Sequence, residues 1–270
     1  MKKAIAVGAA GIGLSFAMLA FGYVSGMSPE LNAKPSANTE IAAGMDRESI
    51  ETIVRDYLIA NPEIMLEVQV ALEAKQDAEQ RLAQTQAIES SADLIFNASY
   101  DGVVGNPDGS VTIVEFFDYN CGYCRRALDD MQALIADDPD LRFVVKEFPI
   151  LGPDSRKAHA VSMAFRALAP EKYGEFHEAL LDFPGRANES NAVTLALSFG
   201  VDETALREEM KNSAIEAAFN ETYALASELA ITGTPSYVVG DEVIFGAQGS
   251  ETLAERIEAA RAACTKAATC

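Results

Sequence analysis

Basic side chains are scarce in this sequence of 270 residues, which has 21 lysines and arginines against 41 aspartates and glutamates. The formal net charge of −20 argues against nucleic acid as a partner, because phosphate binding needs clustered lysine and arginine. We therefore expect no nucleic-acid partner and attribute the acidity to a solvated, repulsive surface that keeps the protein soluble. Global disorder is also excluded, since 49% of the residues are hydrophobic and can form a core.

Histidine and cysteine, the usual ligands of zinc, are also scarce. The chain has only two histidines and four cysteines: His159, His177, Cys121, Cys124, Cys264 and Cys270. A zinc site needs four ligands, and no two further ligands stand at a recognisable spacing from the first cysteine pair. We therefore expect no metal and no cofactor, and we assign both histidines to packing or to the surface.

The N-terminus carries the longest uncharged run. Lys2 and Lys3 precede 21 apolar or small residues, 4–24, which is longer than the usual core of a cleaved signal, about 7 to 15, and close to a membrane span of about 20. We interpret residues 1–26 as a signal peptide or an uncleaved signal anchor, either of which places the rest in the periplasm. A buried helix of a soluble protein is the alternative.

A linker and a helical arm follow. Residues 27–45 contain Pro29 and Pro35 without periodicity, which indicates a flexible linker. Residues 46–98 have apolar positions at helical spacing, interrupted by a stop at Asn61-Pro62, and are predicted to form the arm. Its apolar stripe is narrow, so the arm must dock on the rest of the chain or pair with copies of itself, and both alternatives stay open.

The remaining pattern alternates between strands and helices. We predict strands at 111–117 and 141–148, helical segments over 153–229, a hairpin of strands 236–239 and 243–245, and a last helix over 250–263. This order predicts an α/β domain over residues 99–263, followed by a tail, 264–270, that contains a cysteine pair.

The pair Cys121 and Cys124 directly follows the first of these strands and begins a helix. The positive end of a helix stabilises a thiolate, so we assign Cys121 as the nucleophile and Cys124 as the resolving thiol. Tyr123 stands where a histidine would stabilise the thiolate further, which predicts a less oxidising pair. A zinc site and a purely structural disulfide are the alternatives.

Two motifs carry a family resemblance. The run 115–124, EFFDYNCGYC, and the downstream run 233–240, GTPSYVVG, resemble the DsbA-like branch of the thioredoxin superfamily, whose members are exported thiol-disulfide oxidoreductases. The resemblance covers roughly residues 100–263. It implies a thioredoxin fold with a helical insertion at 153–229 and a cis peptide at Thr234-Pro235 beside the cysteines. The backbone of Thr234 would then be free to pair with a client strand; the alternative is a proline that only starts a strand.

Glu115 matches the buried acid below the active site of such enzymes. There it would take or return the proton of Cys124, with Lys146 on the next strand as its expected partner. An edge-strand acid that faces water is the alternative.

Details within the family point to subtypes. The Gly-Tyr dipeptide between the cysteines and the threonine before Pro235 resemble the isomerase-like DsbC pattern more than the strongly oxidising DsbA pattern. The segment 57–64, YLIANPEI, resembles the N-terminal region of ScsC-type proteins, some of which are trimers. Cys264 and Cys270 depart from the family pattern, and in an oxidising compartment we expect them to form a small structural disulfide loop.

These observations predict a periplasmic enzyme that oxidises or isomerises disulfides. Its expected partners are exported client proteins with cysteines, a membrane redox partner and, through residues 46–92, further copies of itself. Two alternatives belong to other classes: a carrier of a soft metal such as Cu(I), which thiolates prefer, and a chaperone-like holder acting through the arm.

Overall fold

The computed structural model describes residues 46–264. The described chain divides into two compact units, one ending at Val70 and one beginning at Ala71. The expected export segment, the linker and the pairing of Cys264 with Cys270 lie outside what the structure describes. Within residues 46–264, no helix is both long enough and apolar enough to cross a membrane.

The arm begins with two helices, α1 (Arg47–Ala60) and α2 (Ile64–Ser90). The side chain of Asp46 caps α1 by accepting a hydrogen bond from the backbone N–H of Ser49 at 2.8 Å. The break expected at Asn61-Pro62 is confirmed, because α1 ends one residue before it and α2 starts two residues after it.

The other elements alternate along the chain. They are α3 (Ala92–Phe96), β1 (Gly102–Gly105), β2 (Val111–Phe117), α4 (Gly122–Asp137), β3 (Leu141–Glu147), α5 (Pro153–Leu168), α6 (Tyr173–Leu181), α7 (Glu189–Ser198), α8 (Glu203–Glu209), α9 (Ser213–Glu228), β4 (Ser236–Val239), β5 (Glu242–Phe245) and α10 (Ser250–Cys264). The prediction of a thioredoxin fold with a helical insertion is confirmed, and α5–α9 form the insertion.

One mixed sheet of five strands runs in the order β1-β3-β2-β4-β5. β2 and β3 are parallel, whereas the other neighbours are antiparallel. Apolar clusters cover both faces of the sheet, so the two parallel strands, β2 and β3, are almost continuously buried. Glu115 stands in the middle of β2 and therefore inside this core.

Aromatic side chains give the helical insertion a core of its own. The rings of Phe165 on α5 and Phe176 on α6 stack with centroids 4.1 Å apart, and Phe199 meets both edge-on. This packing holds α5 and α6 together beside the end of β2.

The end of α2 packs against other parts of the second unit, to which it belongs. The side chain of Gln84 donates a hydrogen bond to the carbonyl of Leu229 at 3.1 Å, and Thr85 donates to the carbonyl of Asp241 at 3.4 Å. Ile88, which is only 3% exposed, packs in the apolar cluster that covers one face of the sheet together with Phe116 and Val144. This end of α2 therefore packs against the body of the second unit, whereas α1 buries no side chain.

The expectation that Lys146 is the partner of Glu115 is wrong. In the β2–β3 register Glu115 lies beside Val145, so Lys146, one residue further, points to the opposite face of the sheet. Its ammonium donates to the carbonyl of Leu94 at 2.6 Å and pairs with the carboxylate of Asp101. This buried ion pair joins the loop before β1 to β3.

Candidate active site

The reactive pair sits where β2 leads into α4. β2 ends at Phe117, three residues cross the edge of the sheet, and Cys121 is the N-cap of α4. The backbone N–H of Cys121 donates to the carbonyl of Asp118 at 2.9 Å, and its own carbonyl accepts the first hydrogen bond of the helix, from Arg125 at 3.0 Å. Cys121 is 7% exposed and Cys124 is fully buried, so Cys121 is the sulfur that a client can reach.

The surroundings favour a thiolate on Cys121 and a thiol on Cys124. A hydrogen bond from the Cys124 thiol lowers the pKa of Cys121 to about 5, against the opposing effect of partial burial, and the backbone N–H groups of Tyr123 and Cys124 add to the lowering. Burial raises the pKa of Cys124, and the neighbouring Cys121 raises it further. One sulfur is therefore charged and the other keeps its proton.

The segment before β4 brings the second motif to the cysteines. β4 pairs antiparallel with β2, with Ser236 beside Phe116, so the preceding residues lie next to the start of α4. The Thr234-Pro235 peptide is cis, and the Cys121 Sγ lies 3.1 Å from the carbonyl oxygen of Thr234. The structure therefore brings together the motif residues that are separated by 113 positions in the chain.

Glu115 is buried beneath the pair. It is 3% exposed, and its Oε1 has no hydrogen-bond partner among the described residues. Burial raises the pKa of Glu115 to about 8, and a negative charge on Cys121 adds to the effect. Such a carboxyl can hold or release a proton near neutral pH, which suits an exchange with Cys124.

The residues between the cysteines are exposed. The side chain of Tyr123 is 60% exposed, and the guanidinium of Arg126 lies over its ring at 4.3 Å from the centroid. The described part of the chain contains no cluster of three or more histidine, cysteine or acidic side chains that could hold a metal ion.

Sequence analysis missed a buried polar cluster behind the loop that precedes Cys121. Its members come from the loop, β3, α5 and α6: Asp118, Tyr119, Glu147, His159, Ser162, Tyr173 and His177. One signal was available, because Asp118 and Glu147 stand at the carboxyl ends of neighbouring parallel strands, where polar side chains converge.

The family comparisons agree with this geometry. Residues 112–258, more than half of the chain, match the family model described as a DSBA-like thioredoxin domain. Residues 46–79 match a second model, the N-terminal domain of the copper resistance protein ScsC.

The solved structures that are similar to the chain include the following three. A thioredoxin-like oxidoreductase from Silicibacter pomeroyi is 41% identical, with a TM-score of 0.60, and the match covers 65% of this chain and 98% of that one. The thiol-disulfide exchange protein alpha-DsbA2 from Wolbachia pipientis is 30% identical, with a TM-score of 0.62 and coverage of 67% and 97%. BcfH from Salmonella enterica Typhimurium is 27% identical, with a TM-score of 0.71 and coverage of 84% and 100%.

The chain also matches parts of curated proteins whose lengths differ from its own. Disulfide bond formation protein D of Bacillus subtilis is 26% identical over 167 residues, which are 58% of this chain and 75% of that protein. A Na(+)/H(+) antiporter NhaA 1 of Salinispora arenicola is 25% identical over 160 residues, and this chain spans 24% of its length.

The lowered pKa of Cys121 gives a first prediction. The thiolate persists down to its pKa, so alkylation of the reduced protein by iodoacetamide should keep its full rate at pH 7 and lose half of it near pH 5, whereas an ordinary cysteine loses half near about 8.5. The rate is measured by mass spectrometry of the peptide that contains Cys121, with a Cys121→Ser chain as the blank. A midpoint above pH 7 would contradict the stabilised thiolate.

The raised pKa of Glu115 gives a second prediction. The contribution of Glu115 to folding stability should be complete below its ordinary pKa of 4.5 and fall as the pH rises toward about 8, because the buried group then gives up its proton. Glu115→Gln removes that dependence, so the reduced variant should exceed the native protein by roughly 1–3 kcal/mol in unfolding free energy at pH 8 and match it at pH 4.

Urea denaturation at both pH values measures this difference. Glu255→Gln, an exposed carboxyl on α10, is the matched control and should leave the stability unchanged at either pH. An equal effect of Glu115→Gln at pH 4 and pH 8 would show that Glu115 is not titrating inside the core.

Proposed function

The chain belongs to the DSBA-like thioredoxin domain family of thiol-disulfide oxidoreductases, and from this premise we propose that it oxidises or isomerises disulfides in exported proteins. The observation that supports the proposal most directly is the position of the Cys121 sulfur. It carries a stabilised charge, lies at the N-terminus of α4 and is 3.1 Å from the carbonyl of Thr234, with the protonated Cys124 behind it.

Oxidation of a client starts from the Cys121–Cys124 disulfide. A client thiolate attacks the Sγ of Cys121, the bond to Cys124 breaks, and Cys124 leaves with the electron pair. Glu115 then supplies the proton that Cys124 takes up. A second client thiolate attacks the client sulfur of the mixed disulfide, which releases Cys121 as its stable thiolate and leaves the client oxidised.

Isomerisation starts from the reduced pair. The thiolate of Cys121 attacks a client disulfide and forms a mixed disulfide with one client sulfur, while the other client sulfur leaves as a thiolate. A different client thiolate then attacks the mixed disulfide, so the client gains a new pairing and Cys121 returns unchanged. If no client thiol arrives, Cys124 releases the client by closing the disulfide.

Client binding uses backbone beside the sulfurs in this proposal. The Thr234 segment precedes the strand β4 and faces Cys121, so an extended client segment can pair with it while its cysteine reaches the Sγ. The proposed compartment is the periplasm, which residues 1–26 support as an export segment. A membrane redox partner restores the starting state of the cysteine pair.

The function is tested with two cysteine variants. Cys121→Ser should abolish insulin reduction and the reactivation of scrambled ribonuclease, whereas Cys124→Ser should accumulate mixed disulfides with clients, since nothing resolves them. The native pair should equilibrate with glutathione at a potential of about −180 to −120 mV. Full activity of Cys121→Ser would contradict the proposal. A reduction potential as low as that of thioredoxin would contradict the assignment drawn from the Gly-Tyr dipeptide between the cysteines.

We also propose that copies of the chain associate through residues 46–92. The two arm helices expose large apolar side chains: Ile50, Ile53, Val54, Tyr57, Ile59, Met65, Leu66, Val68, Val70, Leu72 and Leu82. On α1 four of them recur at helical spacing on one face, which is the pattern of a helix that packs against another helix. The match of residues 46–79 to the ScsC N-terminal model supports this use of the arm.

Two single-charge variants on α1 test the association. Ile53→Glu places a carboxylate in the apolar stripe, and Thr52→Glu places the same charge on the opposite face of the helix. In light scattering of residues 27–270, Ile53→Glu should reduce the mass to one chain and lower the isomerase activity, while Thr52→Glu should change neither. A native protein that is already monomeric would contradict the proposal.

A further inference from the structure

The three residues before Cys121 are each fixed by hydrogen bonds. The carboxylate of Asp118 accepts from the backbone N–H groups of Asn120 at 2.8 Å and Leu151 at 2.9 Å. The amide of Asn120 bonds both to the N–H and to the carbonyl of Ala187, at 2.8 and 2.9 Å. The residue between them is Tyr119, and its backbone N–H points away from the loop toward α5.

The acceptor of that N–H is His159. Its Nε2 lies 3.2 Å from the Tyr119 nitrogen, and its ring is fully buried. An accepting Nε2 carries no proton, so the proton of the neutral ring is on Nδ1, which contacts the carboxylate of Glu147. Glu147 is held in turn by the hydroxyls of Ser162 at 2.7 Å and Tyr173 at 3.2 Å.

We propose that His159 is a positioning residue for Cys121. Held by Glu147, it accepts the Tyr119 N–H and fixes the loop that places the Cys121 sulfur at the start of α4. The proposal deepens the function above, because it takes Cys121 as the nucleophile. It also gives a mechanistic role to a histidine that sequence analysis assigned to packing or the surface.

The position of the sulfur determines how well its charge is stabilised. The N–H of Cys121 is bonded to the carbonyl of Asp118, so a displacement of the loop is passed directly to Cys121. The thiolate depends on the N–H groups of Tyr123 and Cys124 and on the Cys124 thiol, and these contacts weaken with small changes in distance and angle. A looser loop therefore raises the pKa of Cys121.

The other groups around the ring act on the same loop. Burial lowers the pKa of His159 and Glu147 raises it above its ordinary value, whereas the Tyr119 N–H, which is directed at Nε2, stabilises the neutral ring. A proton on Nε2 would remove the lone pair that accepts from Tyr119, and the carboxylate of Asp118, whose Oδ1 is 3.8 Å from Nε2, is the group that would face that proton. His177 on α6, near the hydroxyl of Tyr119 at 3.1 Å, stays neutral because burial lowers its pKa to about 3.

Two partial replacements of the imidazole separate its two contacts. In His159→Asn the side-chain NH₂ stands where Nδ1–H faces Glu147, but nothing reaches Tyr119. In His159→Gln the side-chain oxygen stands where Nε2 accepts from Tyr119. The thiolate absorbance of Cys121 at 240 nm is titrated in the full reduced chain, with Cys121→Ser as the blank, so the readout needs no client and is independent of the oxidoreductase activity.

We expect His159→Asn to raise the pKa of Cys121 by roughly 0.5–1 unit, which is the scale of one lost hydrogen bond. His159→Gln should restore the native value. Phe165→Leu, on the same helix, is the control: it thins the aromatic core of the insertion without removing a hydrogen bond of the Tyr119 loop, so it should lower the melting temperature and leave the Cys121 titration unchanged.

Three results would overturn the proposal. The first is a Cys121 pKa in His159→Asn that equals the native value. The second is an equal shift of the Cys121 pKa in all three variants. The third is a shift in His159→Asn that His159→Gln does not reverse, which would assign the positioning to the charged ring. If the Asn variant does not fold, the test is an NMR pH titration of the native protein. Protonation of His159 should change the chemical shifts of the Tyr119 amide and the Cys121 Cβ together, and a titration that changes neither overturns the proposal.

Discussion

The pairing of β2 with both β3 and β4 is the constraint on which the site depends. β2 carries Glu115 in its middle and leads into Cys121, while β4 begins immediately after the Thr234-Pro235 peptide. The antiparallel register places Glu115 beside Tyr237, so Thr234 necessarily lies next to the end of β2. No local sequence could bring these groups together, because they are separated by more than a hundred residues.

The same burial that creates the sheet limits the charge at the site. Cys121, Cys124 and Glu115 can each be an anion, yet a low-dielectric core tolerates one negative charge far better than two. The hydrogen bonds at the start of α4 give that charge to Cys121, while burial, and after it the neighbouring Cys121, keeps the protons on Glu115 and Cys124. A stable thiolate on Cys121 favours the reduced pair, which is why such a pair gives its disulfide away readily.

Local patterns were sufficient for the elements and for the reactive pair. The break at Asn61-Pro62, the apolar run of β2 and the cysteine spacing are short-range signals, so the division of the arm into two helices, the α/β class and the location of Cys121 followed from them. The sequence also shows which side chains of one strand alternate between the two faces of the sheet, but it does not identify the residue on another element that completes an ion pair. Lys146 was therefore assigned to Glu115, although its partner, Asp101, comes from the loop before β1.

The missed cluster shows why tertiary packing is needed for the rest. His159 and Glu147 are unremarkable in a helix pattern and a strand pattern, and only the insertion brings α5 and α6 against the end of β3. Burying a carboxylate and an imidazole costs free energy unless each is fully hydrogen-bonded, and here the bonds end on the loop before Cys121. The loop before Cys121 is thus held from two independent sides: the sheet places Glu115 and the Thr234 backbone beside the cysteines, and the insertion holds the loop through hydrogen bonds to α5.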